Sequence, residues 1–216
     1  MSVKASICPT VTAFNIEEYR AQIERLRPFA NRIHIDLMDG SFAPTKSPKI
    51  EEIYLLEDIK NDVHLMYKKP HEFLSQIIEL KPHLLVVHYE ADILHSQFIQ
   101  QLHDAGIYAG LAVLQDTPIE SLISVIDGYD HVLIFSGKLG HHGGKADLSL
   151  LTKVKVIKQA YPDVEVSWDG GISKENIDRL VSGGVDVLNV GSFIQRASNP
   201  KVAYGILESL VIKNKG

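Results

Sequence analysis

Several short stretches place ionisable side chains where a strand facing a packed layer should be apolar. In Arg-Ile-His-Ile-Asp-Leu-Met-Asp-Gly, residues 32–40, the apolar Ile33, Ile35 and Leu37 alternate with His34, Asp36 and Met38. Residues two apart on a strand point the same way, so His34, Asp36 and Met38 share one face. The run Asp62-Val63-His64-Leu65-Met66 repeats the device, with His64 and Met66 on one face. A third run, Val166-Ser167-Trp168-Asp169, ends in a carboxylate just before Gly170-Gly171. Two imidazoles and two carboxylates from three strands would form a donor set suited to Zn²⁺, Fe²⁺, Mn²⁺ or Co²⁺ rather than Ca²⁺. A pair of carboxylates is also what proton transfer to and from carbon requires. On the residues alone, a metal site and four separately hydrogen-bonded polar groups both remain open.

Such residues meet only if a regular frame brings their strands together. Runs rich in Val, Ile and Leu recur near 3–8, 32–38, 61–66, 83–88, 107–113, 130–135, 163–168 and 185–190, separated by segments of helical spacing. Helix starts are signalled by Asn15 with Glu18, by Thr117-Pro118 with Glu120, and by Ser173. Gly106, Gly183 and Gly184 fall where helices should end. Alternating strands and helices imply right-handed βαβ units and a parallel sheet. Eight such units predict a (β/α)₈ barrel, a TIM barrel, forming a single domain over 1–216; an open doubly wound sheet is the alternative. In a barrel the even residues of the second run face the interior, and active sites sit at the C-terminal ends of the strands.

Composition narrows the partners. Apolar residues make up 45% of the 216-residue chain, the formal net charge is -5, and no Lys/Arg-dense run is present. A nucleic-acid surface is therefore not expected. No apolar run approaches the roughly 18 residues of a spanning helix, and the N-terminus lacks a signal-peptide pattern, so no membrane role is expected. Cys8 is the single cysteine, which implies a reducing, cytoplasmic setting and an inert thiol in an apolar strand.

Taken together and in order, these stretches resemble the ribulose-phosphate 3-epimerase family. His-Ile-Asp-Leu-Met-Asp-Gly, Asp-Val-His-Leu-Met, Val-Val-His-Tyr-Glu-Ala, Gly-Leu-Ala-Val with Thr-Pro-Ile-Glu, Trp-Asp-Gly-Gly-Ile and Asn-Val-Gly-Ser-Phe-Ile follow the family's sequence of motifs. Ala5-Ser6-Ile7-Cys8 resembles the family's Pro-Ser-Ile-Leu opening, which implies a substrate contact for Ser6. The resemblance implies one divalent metal held by His34, Asp36, His64 and Asp169. It further implies 3-epimerisation of a ketose phosphate through an enediolate, with Asp36 and Asp169 moving the proton on opposite faces. Met38 and Met66 would cover the enediolate, a reading compatible with plain core filling. Gly143, Gly144, Gly170, Gly171, Gly191 and Ser192 would hold the phosphate, where barrels usually bind it. The partner implied is a small sugar phosphate, and by resemblance alone a homo-oligomer.

The family pattern breaks at four places. Leu114-Gln115 stand where the family has Asn-Pro, Phe135 replaces a methionine of the cover, Gly-His-His-Gly-Gly replaces Gly-Phe-Gly-Gly, and Ser167 stands for a Glu. The expectation is altered substrate preference, or reduced efficiency on D-ribulose 5-phosphate. His141 and His142 read as solvated or substrate-facing, while the roles of His88 and Glu90 stay open. Related barrels that decarboxylate or condense use Asp-x-Lys-x-x-Asp, and Leu37 and Met38 leave no lysine for that. A non-catalytic sugar-phosphate binder is the remaining alternative, although all four ligand positions are kept.

Overall fold

The computed structural model describes residues 5–213. Eight parallel strands close into a barrel in chain order: β1 Ser6–Thr12, β2 Arg32–Met38, β3 Lys60–Met66, β4 Leu84–His88, β5 Tyr108–Val113, β6 His131–Phe135, β7 Glu165–Asp169 and β8 Val187–Val190. Around them lie α1 Ile16–Leu26, α2 Leu74–Leu80, α3 His95–Asp104, α4 Ile119–Ile123, α5 Leu151–Ala160, α6 Ile177–Ser182, α7 Ser192–Gln195 and α8 Pro200–Lys213. Only a 3₁₀ turn, Ile50–Glu52, stands between β2 and β3. Among the described residues no helix is long and apolar enough to cross a membrane.

The expected strands lie within a few residues of those observed, with one consequential exception. The first run was expected at 3–8; residues 3 and 4 lie outside the described part, and β1 continues to Thr12. Pro9 lacks a ladder N–H and disguises a barrel strand. Both faces of Ile7–Val11 are also buried, which removes the alternation that would mark the strand's end.

Helix ends follow local chemistry. Asn15 Oδ1 accepts from the Glu18 N–H at 2.9 Å, and Glu18 Oε2 accepts from the Phe14 N–H at 2.9 Å, so α1 opens with reciprocal caps. The Thr117 hydroxyl does not cap α4; it is turned to the Glu90 carboxylate. α6 begins at Ile177, later than Ser173 suggested.

The ladder is staggered as well as closed. Starting from Thr12 at the C-terminal end of β1, successive Cα partners are Asp36, His64, Val86, Gly110, His131 and Glu165, at the N-terminal end of β7. This is the tilt that closes a parallel sheet. It sends one interior row from one end of the barrel to the other. The outward residues, including Ile33, Ile35, Leu37 and Trp168, join the main core against the helices. Inside, Leu84, Val86, Ala112, Leu133 and Phe135 fill the β4–β6 side with apolar packing. Polar groups hold the rest. Cys8 is fully buried, and burial pushes its thiol well up, in keeping with an inert residue.

At the N-terminal end an ion-pair clasp spans the barrel. Arg32 Nε donates to Asp62 Oδ2 at 2.6 Å, and its Nη1 and Nη2 reach the two Glu165 oxygens at 2.9 and 2.7 Å. His131 meets Glu165 at 2.8 Å through Nδ1 and Ser167 Oγ at 2.7 Å through Nε2. Ser167 therefore belongs to this end, and its hydroxyl serves His131. Asp62 is 2% exposed, so removing its partner leaves a buried unpaired charge. Arg32→Ala is expected to lower unfolding free energy by roughly 3–5 kcal/mol in urea titration. A loss below about 1 kcal/mol, as for a surface pair, would show that the clasp is not a stability determinant.

Candidate metal centre and substrate cleft

The stagger and the strand faces converge on one point at the C-terminal mouth. Thr12, Asp36 and His64 are level on β1, β2 and β3, and Met38 is level with Met66 one step above. Asp169 ends β7, level with Phe135 on one side and Asn189 on the other. One donor atom each from His34, Asp36, His64 and Asp169 lies within 4.8 Å of the other three. His34 Nε2 is 3.3 Å from Asp36 Oδ1 and 3.7 Å from Asp169 Oδ2. His64 Nδ1 is 3.1 Å from the same Asp36 oxygen and 3.3 Å from His34 Nε2.

His34 and His64 are almost wholly buried, and Asp169 is 14% exposed. Two ring nitrogens and two carboxylates aimed at one buried point have the chemistry of a divalent transition-metal site.

The electrostatics of the protein's own groups pull the two carboxyls apart. Burial pushes Asp36 up, but hydrogen bonds and charge from His34 and His64 outweigh it and hold the carboxyl well below its usual range. Burial and then the neighbouring Asp36 charge push Asp169 up to about 7. Burial opposes a charged His34, yet Asp36 and Asp169 together raise it. For His64 burial prevails and the ring is pushed down to about 3. Thr12 Oγ1 adds a donor to Asp36 Oδ2 at 2.6 Å.

Above this cluster a cleft opens at the barrel mouth, lined by residues of β1, β2, β3, β6, β7 and β8 and of the segments that follow the last three. Met38 and Met66, both 2% exposed, line it with Phe135, so the apolar cover has a phenyl ring among its members. Gly143, Gly170, Gly171, Gly191 and Ser192 line it as well. Gly144 does not line the cleft, and a Cβ there would meet open space.

Gly170 and Gly171 are also demanded by packing. Added Cβ atoms would lie 2.2 Å from the Gly137 nitrogen and 2.1 Å from the Ala146 nitrogen. At φ of +109° and +69° both positions favour glycine on backbone grounds too.

Ser6 is not brought to this site. It starts β1 at the N-terminal end, exposed and level with Val187, beside Asn31 and Tyr204. The residue that occupies the expected place is Thr10, in Pro9-Thr10-Val11. It lines the cleft, and its buried hydroxyl has no partner among the described residues. Asn189 does the same from β8, with Oδ1 unpartnered. The Pro-Thr-Val triplet was the available signal for Thr10; nothing in the sequence distinguished Asn189.

Leu114 and Gln115 do not line the cleft either. The Gln115 amide donates to Ser136 O at 3.0 Å and Gly137 O at 2.9 Å, bracing the loop that follows β6. Lys138, His141 and His142 of that loop are exposed and line the cleft, with His142 edge-on to Phe14.

His88 and Glu90 lie just behind His64. His64 Nε2 is 2.9 Å from His88 Nε2, and His88 Nδ1 is 3.4 Å from Glu90 Oε2. Burial raises the Glu90 carboxyl, but His88, Thr117 and the Leu114 N–H outweigh it and keep it below its ordinary value.

Known proteins share this arrangement of elements. In solved structures, 3-hexulose-6-phosphate synthase from Salmonella typhimurium superposes with a TM-score of 0.73, covering 97% of this chain and 99% of that one at 14% identity, a likeness of fold alone. Among sequence relatives, the ribulose-phosphate 3-epimerase of Schizosaccharomyces pombe is 28% identical over 98% of this chain and 96% of its own. That of Bacillus subtilis is 32% identical over 81% and 84%. The Ribulose-phosphate 3 epimerase family profile matches residues 6–195, a span that holds all eight strands and every residue of the mouth cluster. The chain thus belongs to the ribulose-phosphate 3-epimerase family of isomerases.

Proposed function

We propose that the chain inverts carbon 3 of a ketose phosphate, with Asp36 and Asp169 as the proton-transferring pair. The observation that carries this reading is the pair of carboxyls from β2 and β7, Asp36 and Asp169, that flank His34 Nε2 at 3.3 and 3.7 Å and line the cleft. Inversion next to a carbonyl needs an ionised carboxylate on one face to take the proton and a protonated one on the other to return it. The pair shares charge at close range, so its titration belongs to both residues together. A divalent metal (Zn, Fe, Mn or Co), held by His34, Asp36, His64 and Asp169, supplies positive charge beside the substrate oxygens that become negative. Met38, Met66 and Phe135 exclude water from that end of the cleft and leave polarizable sulfur near the developing charge.

The wall of Gly143, Gly170, Gly171, Gly191 and Ser192 is the proposed phosphate anchor, with Gly144 left out of it. Between anchor and metal ligands the exposed readers of substrate hydroxyls are Lys138, His141 and His142, not Gln115. We infer a substrate preference that differs from, or an efficiency lower than, that of a plain D-ribulose 5-phosphate enzyme. An unpaired hydroxyl in the middle of the substrate costs a few kcal/mol.

The purified chain is expected to carry close to one divalent transition metal, and His34→Ala and His64→Ala are each expected to lose it in elemental analysis. Full occupancy in both variants would remove the metal assignment.

Asp36→Asn and Asp169→Asn are each expected to lower kcat by about 10²–10⁴-fold or more. In deuterated water, product should carry deuterium at carbon 3; complete retention of the original hydrogen would rule out the carboxylate route.

Across substrates, free D-ribulose should show far lower kcat/KM than its 5-phosphate, since remote binding energy supports the chemical step. Six-carbon ketose phosphates should match or exceed D-ribulose 5-phosphate. A clear advantage for the five-carbon phosphate at an ordinary enzymatic rate would end the altered-preference reading.

A further inference from the structure

Behind the metal cluster runs a buried line of polar atoms that the chemistry above does not use. It begins at His64, whose Nδ1 is turned to Asp36 and His34 and whose Nε2 is 2.9 Å from His88 Nε2. Only one proton fits between those two Nε2 atoms, so one ring must donate and the other accept. His88 is completely buried and boxed by the Phe42 ring at 4.7 Å and the Phe135 ring at 5.7 Å, centroid to centroid. Its other nitrogen, Nδ1, faces Glu90 Oε2 at 3.4 Å, longer than a good hydrogen bond, and neither atom has another partner. Glu90 Oε1 is already committed, accepting from the Leu114 N–H at 3.0 Å and from the Thr117 hydroxyl.

Asp36 and Glu90, at the two ends of this line, both only accept, and with a cation between His64 Nδ1 and Asp36 the proton count has one solution. Ionised Glu90 only accepts, so His88 carries its proton on Nδ1 and leaves Nε2 bare. A bare His88 Nε2 requires a donor, so His64 carries its proton on Nε2 and leaves Nδ1 bare. We propose that His88 and Glu90 are positioning residues that fix this tautomer of His64 and so present its Nδ1 to the metal. The proposal rests on the metal-centre reading above. It extends the rule that a ligating imidazole is oriented by the group bonded to its other nitrogen, with a second histidine interposed before the carboxylate.

Glu90→Gln separates this role from a packing role, because it keeps shape and reverses the line. The amide oxygen stays with Leu114 N–H and Thr117, which places the amide NH₂ against His88 Nδ1. His88 must then move its proton to Nε2, and His64 must move its own to Nδ1, where it blocks metal binding. His88→Gln keeps an amide oxygen to accept from His64, whereas His88→Leu offers no acceptor.

The test uses the full-length ¹⁵N-labelled chain, zinc as the probe, and imidazole ¹⁵N–¹H spectra with and without chelator. In the native chain His64 should carry its proton on Nε2. Glu90→Gln and His88→Leu should weaken zinc binding by about tenfold to a hundredfold, with the His64 proton moved to Nδ1 in the former. His88→Gln should keep native zinc affinity, and this pair of His88 variants decides the matter if Glu90→Gln does not fold. Native zinc affinity and an unchanged His64 tautomer in Glu90→Gln would overturn the proposal, as would equal losses in His88→Gln and His88→Leu. If the native chain binds no zinc while His64 holds its proton on Nε2, the metal reading falls and the tautomer relay stands. Zinc binding with the His64 proton on Nδ1 does the reverse.

Discussion

A carboxylate taken out of water inside a barrel must be surrounded by donors or by a cation, and Asp36 imposes that demand on the whole C-terminal mouth. Its oxygens are faced by the Thr12 hydroxyl from β1 and by ring nitrogens of His34 from its own strand and His64 from β3. Each partner then constrains its neighbour. His64 needs a partner for its second nitrogen and finds His88 on β4, which in turn faces Glu90 just past that strand. Glu90 is held by the Leu114 N–H and Thr117 beyond β5. A single desolvated charge therefore organises polar contacts through half the circumference of the barrel. The other half of the interior, on β4–β6, is free to pack Leu133, Val86 and Ala112 as ordinary core.

Much of this was legible because β2 and β3 show their faces. Ile33, Ile35 and Leu37 are so consistently apolar that His34, Asp36 and Met38 had to share the other side, and the fold places them there. Asp169 was marked by the glycine pair that follows it. The N-terminal strand was harder to place. With both faces of Ile7–Val11 buried and Pro9 within it, nothing local fixes where the strand ends, and a shift of four residues put Ser6 in the place that Thr10 holds. The direction of Gln115 was hidden for a different reason: which carbonyls it reaches depends on the path of the loop after β6. Clasp members Arg32, Asp62, His131 and Glu165 lie far apart in sequence, and only the stagger of the barrel makes them neighbours.

Among the departures from the family pattern, Phe135 and the loop residues Lys138, His141 and His142 line the cleft, while the acids and glycines around them keep their places. Gly170 and Gly171 lie against the backbone at Gly137 and Ala146, so the loops after β6 and β7 touch main chain to main chain. Contact of that kind is indifferent to side chains elsewhere in the loop. Lys138, His141 and His142 lie outside that contact.

The clasp at the other end of the barrel bears on how the chain comes apart. Arg32 joins β2 to Glu165 on β7, a contact between residues 133 apart in sequence and on strands that are not neighbours in the sheet. Ordering so long a loop comes before any return from the contact, so local βαβ units form without it. The ion pair is made only once β7 is in the barrel, among the last contacts of closure. An interaction absent from the folding transition state leaves the folding rate alone and slows unfolding. The Arg32–Glu165 pair, unlike the Arg32–Asp62 pair between neighbouring strands, thus acts on the lifetime of the native barrel rather than on the speed of its assembly, and that lifetime sets resistance to irreversible thermal inactivation.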